Sequence, residues 1–80
     1  MTKLLKFYAD WCSPCKILEA TLSKYDIEHI SINVEEEEEL AEKYNIRNIP
    51  TLILLDDNNI ELRRVTGALG INEIKKFIGE

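Results

Sequence analysis

Residues 51–55, Thr-Leu-Ile-Leu-Leu, form an unbroken apolar run directly after Pro50 and directly before Asp56-Asp57-Asn58-Asn59. The run is too short for a helix, and its boundaries are a helix breaker and a set of turn residues. It therefore reads as a strand covered on both faces, and such a strand sits in the middle of a sheet with other elements packed above and below. Residues 3–9, Lys-Leu-Leu-Lys-Phe-Tyr-Ala, are a second β-prone and largely apolar run. Two buried strands in a chain of 80 residues leave room for one small core and one domain spanning 1–80. A domain of this size buries only roughly 60–65% of the surface its unfolded chain exposes, so it needs a regular fold.

The remaining segments fill in the order. Asp10 to Cys15 reads as a loop feeding a helix that runs to about Tyr25, with Ile17, Leu18, Leu22 and Tyr25 on its inner face. Pro14 suits a first helical turn, whose N–H groups are unpaired anyway. Residues 28–34 alternate, with Ile30, Ile32 and Val34 set against His29, Ser31 and Asn33, which predicts a strand with unlike faces. A helix is expected from about Glu35 to Tyr44, its five leading glutamates complementing the helix dipole. Ile46 to Pro50 cannot continue it, because Pro50 restricts Ile49. Asp56 to Asn59 turns the chain into a returning strand over Ile60 to Thr66, which Gly67 ends. Ile71, Ile74, Phe77 and Ile78 mark a final amphipathic helix. The expected fold is α/β, in the order β-α-β-α-β-β-α. Its first two strands should be parallel and its hairpin antiparallel, giving a four-stranded mixed sheet with helices on both faces.

Charge and composition exclude some functions. Fifteen acidic against ten basic residues leave a net charge of −5, which argues against nucleic acid as a partner. No apolar run approaches the length of a membrane span. Lys6 interrupts the apolar N-terminal stretch and no small-residue cleavage site follows, so the N-terminus does not read as a signal peptide. A cytoplasmic setting is expected. In that reducing compartment two cysteines are more often catalytic or metal-binding than a structural staple.

Cys12 and Cys15 stand in a Cys-x-x-Cys spacing at the expected strand-to-helix junction. Unpaired N–H groups and the dipole at a helix N-terminus favour a thiolate there, the form that attacks disulfides. The second cysteine lies one turn away and can close a disulfide with the first. Attack by Cys12 on a target disulfide would give a mixed disulfide, and Cys15 would then release the reduced target. The competing metal reading needs four ligands for tetrahedral zinc, and only His29 remains as a strong further donor. No metal or cofactor is expected.

Three segments then carry a resemblance. Phe7-Tyr8-Ala9-Asp10-Trp11-Cys12-Ser13-Pro14-Cys15-Lys16 resembles the active-site segment of the thioredoxin family. Tyr44 to Leu52 resembles its second signature, in which the proline follows a cis peptide bond, and Val65-Thr66-Gly67-Ala68-Leu69 resembles its third, a loop beside the active site. Relative to a full-length thioredoxin, the N-terminal strand and helix have no counterpart here, so the chain reads as a minimal version close to glutaredoxin in size. The resemblance implies that Cys12 is an exposed nucleophile and Cys15 a buried resolving thiol. It implies further that Trp11, Ser13, Pro14, Ile49, Pro50 and Gly67 form the surface on which a substrate docks. Ile49 and Pro50 would offer backbone groups to an extended peptide, and Gly67 would allow its close approach. The implied activity is reduction of protein disulfides by a monomer recharged by a thioredoxin-reductase-like flavoenzyme. The alternatives are a glutathione-dependent, glutaredoxin-like reductase and a thioredoxin-fold binding module. Against the first, Gly67 to Gly70 lacks the acid of a glutathione-holding stretch; against the second stand two intact thiols.

Three residues depart from the family pattern. Ser13 replaces a glycine between the cysteines. Lys6 stands where an aspartate is usually buried beneath the resolving cysteine, and Ser31 where that aspartate's lysine neighbour lies. With the usual pair missing, the proton of Cys15 would pass directly to solvent or through a water. Because burying an unpaired ammonium is costly, Lys6 is expected to turn out to water, with no effect on the thiols. If it instead reached beneath the site, it would favour thiolates.

Overall fold

The computed structural model describes residues 1–80. Its elements are β1 (Lys3–Tyr8), α1 (Ser13–Lys24), β2 (Ile30–Asn33), α2 (Glu38–Lys43), β3 (Thr51–Leu55), β4 (Glu61–Thr66) and α3 (Ile71–Ile78). The four strands form one sheet in the order β2-β1-β3-β4. Strand β1 pairs parallel with β2 and antiparallel with β3, and β3 pairs antiparallel with β4. Both apolar runs thus lie at the centre, and all five residues of β3 are buried.

Alternation along the central strands divides the core into two layers. Leu4, Leu52 and Leu54 project toward α1 and α3 and pack with Leu18, Leu22 and Ile74. Leu5, Phe7, Ile53 and Leu55 project the other way with Ile32, under Leu40 and Tyr44 of the α2 region. The Phe7 and Tyr44 rings meet at a centroid distance of 5.6 Å. Helices therefore cover both faces, two on one and one on the other.

Several local expectations are corrected. Ile17 and Tyr25 are exposed, and the buried stripe of α1 is Cys15, Leu18 and Leu22. This i, i+3, i+7 row is narrower than the expected face because α1 meets the sheet along one line of contact. Helix α2 begins at Glu38, three residues later than expected. The Asn33 carboxamide oxygen accepts from the Glu35 N–H at 2.9 Å, and the Asn33 carbonyl accepts from Glu36 and Glu37. A turn bonded to Asn33 thus takes up the first glutamates, and only Glu38 and Glu39 stand in the first helical turn. The same bond explains why Asn33, on the expected polar face, is buried. Ile30 is half exposed on the edge strand, so the alternation in β2 does not separate inside from outside. In the β3–β4 turn, Asp56 Oδ1 accepts from the N–H groups of Asn58 and Ile60, and Asn59 adopts a φ of 62°.

Candidate active site

Cys12 is the N-cap of α1, in extended conformation, and Pro14 occupies the first turn. The Cys15 N–H donates to Cys12 Sγ at 3.2 Å, and the Lys16 N–H to the Cys12 carbonyl at 3.2 Å. An otherwise unpaired helix-terminal donor is thereby aimed at sulfur. A sulfur carrying negative charge gains more from that donor and from the dipole behind it than a neutral one does. The two cysteines are joined as a disulfide with a Cα–Cα distance of 5.2 Å.

One expectation about the site residues is corrected. Cys12 is not exposed: it is 4% accessible, against 2% for Cys15. Cys12, Cys15 and Ala9 form a small buried cluster against which Tyr8, Val34 and Ile49 pack. Ser13 and Pro14 are exposed beside it. Trp11 is 67% exposed, and its indole Nε1 donates to Glu35 at 3.1 Å. The Ile49–Pro50 peptide bond is cis and Pro50 is buried. The Pro50 carbonyl accepts from the Gly67 N–H at 3.0 Å, which ties the second signature to the third. Gly67 has a φ of +106°, a conformation that side chains resist, and open space in front of its Cα.

Lys6 overturns the expectation that it turns to water. It lies on the α1 side of β1, between Leu52 and Ser31 in the sheet, and is 3% exposed. It is buried because it is not unpaired. Its Nζ bonds the carboxylate of Glu19 and lies 4.7 Å from the centroid of the Tyr8 ring. Glu19 also accepts from the Ser23 hydroxyl at 2.6 Å and faces His29 Nε2 at 3.0 Å, while His29 Nδ1 faces the Ile27 carbonyl at 2.8 Å. His29, expected to be an ordinary strand residue, belongs to this cluster just ahead of β2. The Glu19 carboxyl is held down at about 2, chiefly by the Lys6 bond, then by Ser23, against some desolvation. Sequence reasoning missed Glu19, and it missed the bond of Glu35 to Trp11. The i, i+4 spacing of Cys15 and Glu19 places Glu19 one turn below the active site, the one signal that could have found it.

Comparison with known proteins agrees with this geometry. The family model for thioredoxin matches residues 1–80. The thioredoxin of Mycoplasmoides gallisepticum is 35% identical, over 94% of this chain and 79% of its own length. That of Buchnera aphidicola is 37% identical, over 96% of this chain and 76% of its own. The solved structure of a mutant thioredoxin from Halobacterium salinarum superimposes with a TM-score of 0.87 at 33% identity, covering 96% of this chain and 71% of that one. With the Cys12–Cys15 pair at the start of α1, these likenesses establish the chain as a thiol–disulfide oxidoreductase belonging to the thioredoxin family.

Proposed function

We propose that residues 1–80 act as one domain that reduces protein disulfides with Cys12 as the attacking and Cys15 as the resolving thiol. The observation that carries this assignment is the position of Cys12 as the α1 N-cap, its sulfur receiving the Cys15 N–H at 3.2 Å. The helix terminus favours a thiolate at Cys12 over one at Cys15, a turn further in. In the reaction, Cys12 S⁻ attacks one sulfur of the target, whose other sulfur leaves as a thiolate. Cys15, having lost its proton, attacks Cys12 Sγ, the bond to the target breaks, and the disulfide closes.

Trp11, Ser13, Pro14, Ile49, Pro50 and Gly67 form the docking surface in this reading. Exposed side chains at Trp11, Ser13 and Pro14 and open space at Gly67 support it, because an extended peptide needs a shallow and accessible platform. The domain works as a monomer in the cytoplasm and is recharged by a thioredoxin-reductase-like flavoenzyme. No helix is long and apolar enough to cross a membrane. The test is a coupled insulin-reduction assay. Turnover with NADPH and thioredoxin reductase is expected; turnover only with glutathione and its reductase would replace this recycling partner, and none with either would refute the activity.

A further inference from the structure

An open cavity of about 210 Å³ lies beneath the disulfide, and the groups lining it include Cys15, Lys6, Glu19, Tyr8, Asp10 and Lys16. Only one of its charged groups is deeply buried. The Lys6 side chain is 4% exposed, whereas its partner Glu19 is 42% exposed, and Asp10 and Lys16 are exposed residues. The ion pair is therefore electrostatically lopsided. Water screens its negative end, while its positive end acts through the less polarisable interior, where a charge is felt more strongly. His29, whose Nε2 meets the same Glu19 oxygen as Lys6, adds no negative charge to the cavity.

We infer that Lys6 stabilises the Cys15 thiolate as it forms, and that Glu19 is a positioning residue that holds the ammonium in place while tempering its charge. This deepens the reading of Cys15 as the resolving thiol and rests on it. In the mixed disulfide, Cys15 loses its proton to water in the cavity. The thiolate, favoured by the nearby cation, attacks Cys12 Sγ, and the departing target thiolate is protonated by solvent. Lys6 gains and loses no proton in the cycle.

The test needs neither substrate nor reductase, so it separates this inference from the proposed activity. In the Cys12→Ser protein, Cys15 is the only thiol, and its pKa is read by ultraviolet absorbance. In that background Lys6→Met is expected to raise the pKa by more than about 0.3 unit, and Glu19→Gln to lower it by more than about 0.3 unit. Opposite signs from the two ends of one ion pair are the signature of charge, since structural damage would move both variants the same way. Any other pattern overturns the inference. Should Lys6→Met not fold, Glu19→Gln decides alone, and an unchanged or raised pKa overturns it. If insulin is not reduced and these shifts appear, the activity falls and the inference about Lys6 stands.

Discussion

The Lys6 ammonium on β1 is bonded to the carboxylate of Glu19 on α1, one helical turn beyond Cys15. The bond ties the central strand to the helix that carries both cysteines. It makes a buried lysine tolerable in a core that otherwise has only Asn33 and Thr51 as buried polar residues.

A pH dependence follows from this pair. The folded-state value of Glu19, about 2, lies below its ordinary 4.5. A lowered carboxyl stabilises the fold above its unfolded value, and that stability drains away as pH falls from about 4.5 toward 2. Because Glu19 is 42% exposed, solvent screening holds the contribution to roughly 1 kcal/mol, and stranding Lys6 adds to the loss in a mutant. Glu19→Gln should cost about 1–3 kcal/mol at pH 7 in urea unfolding. The gap from wild type should narrow steadily below pH 4.5, and a gap independent of pH would contradict the linkage.

The two thiols should behave differently when removed singly. Cys12→Ser should abolish disulfide reduction, whereas Cys15→Ser should accumulate a stable mixed disulfide with the target. Mass spectrometry of each variant after mixing with a disulfide substrate distinguishes them. Trapping through Cys15 in place of Cys12 would reverse the assignment.

Trp11 should matter for docking and hardly at all for folding. Its side chain is 67% exposed and its one hydrogen bond, to Glu35, lies on the surface. Trp11→Ala should change unfolding free energy by less than about 0.5 kcal/mol. The KM for insulin in the coupled assay should rise several-fold with a smaller change in kcat. An unaltered KM would remove Trp11 from the docking surface.

Gly67→Ala tests the third signature. The added methyl meets nothing within 4 Å, so its cost comes from the backbone alone, at a φ of +106°. A destabilisation of about 1–2 kcal/mol is expected in thermal or urea melts. Relaxation of this strain would disturb the Gly67 N–H bond to Pro50 and so reach the proposed docking surface. Reduction of insulin should weaken beyond what the unfolded fraction explains.

Leu18→Ala measures how thin the stability margin is. Leu18 is fully buried between α1 and the central strands. The loss should be about 2–5 kcal/mol, comparable with the whole stability of so small a domain. The variant should be largely unfolded at 37 °C by circular dichroism, and a cooperative, well-folded transition above that temperature would show a deeper reserve.

The sequence by itself determined the order of elements, the two central strands and the cysteine pair at a helix start. Those features are written locally: Thr51 to Leu55 is apolar without interruption, Pro50 and Asp56 to Asn59 bound it, and Cys12 and Cys15 stand within a single turn. Tertiary structure decided what depends on partners distant in the chain. Asn33 reads as a polar strand residue, yet it is buried because its side chain closes the turn that displaces the start of α2 to Glu38. Cys12 reads as an exposed nucleophile, yet in the disulfide it is 4% accessible, part of a buried cluster against which Ile49, 37 positions further on, packs. Lys6 is the clearest case. On its own strand an ammonium belongs in water, because desolvating it unpaired costs several kcal/mol. Only when β1 lies against α1 does Glu19, 13 residues away, come within bonding distance and reverse that balance, so that the charge beneath the active site is set by the packing of two elements and by neither of them alone.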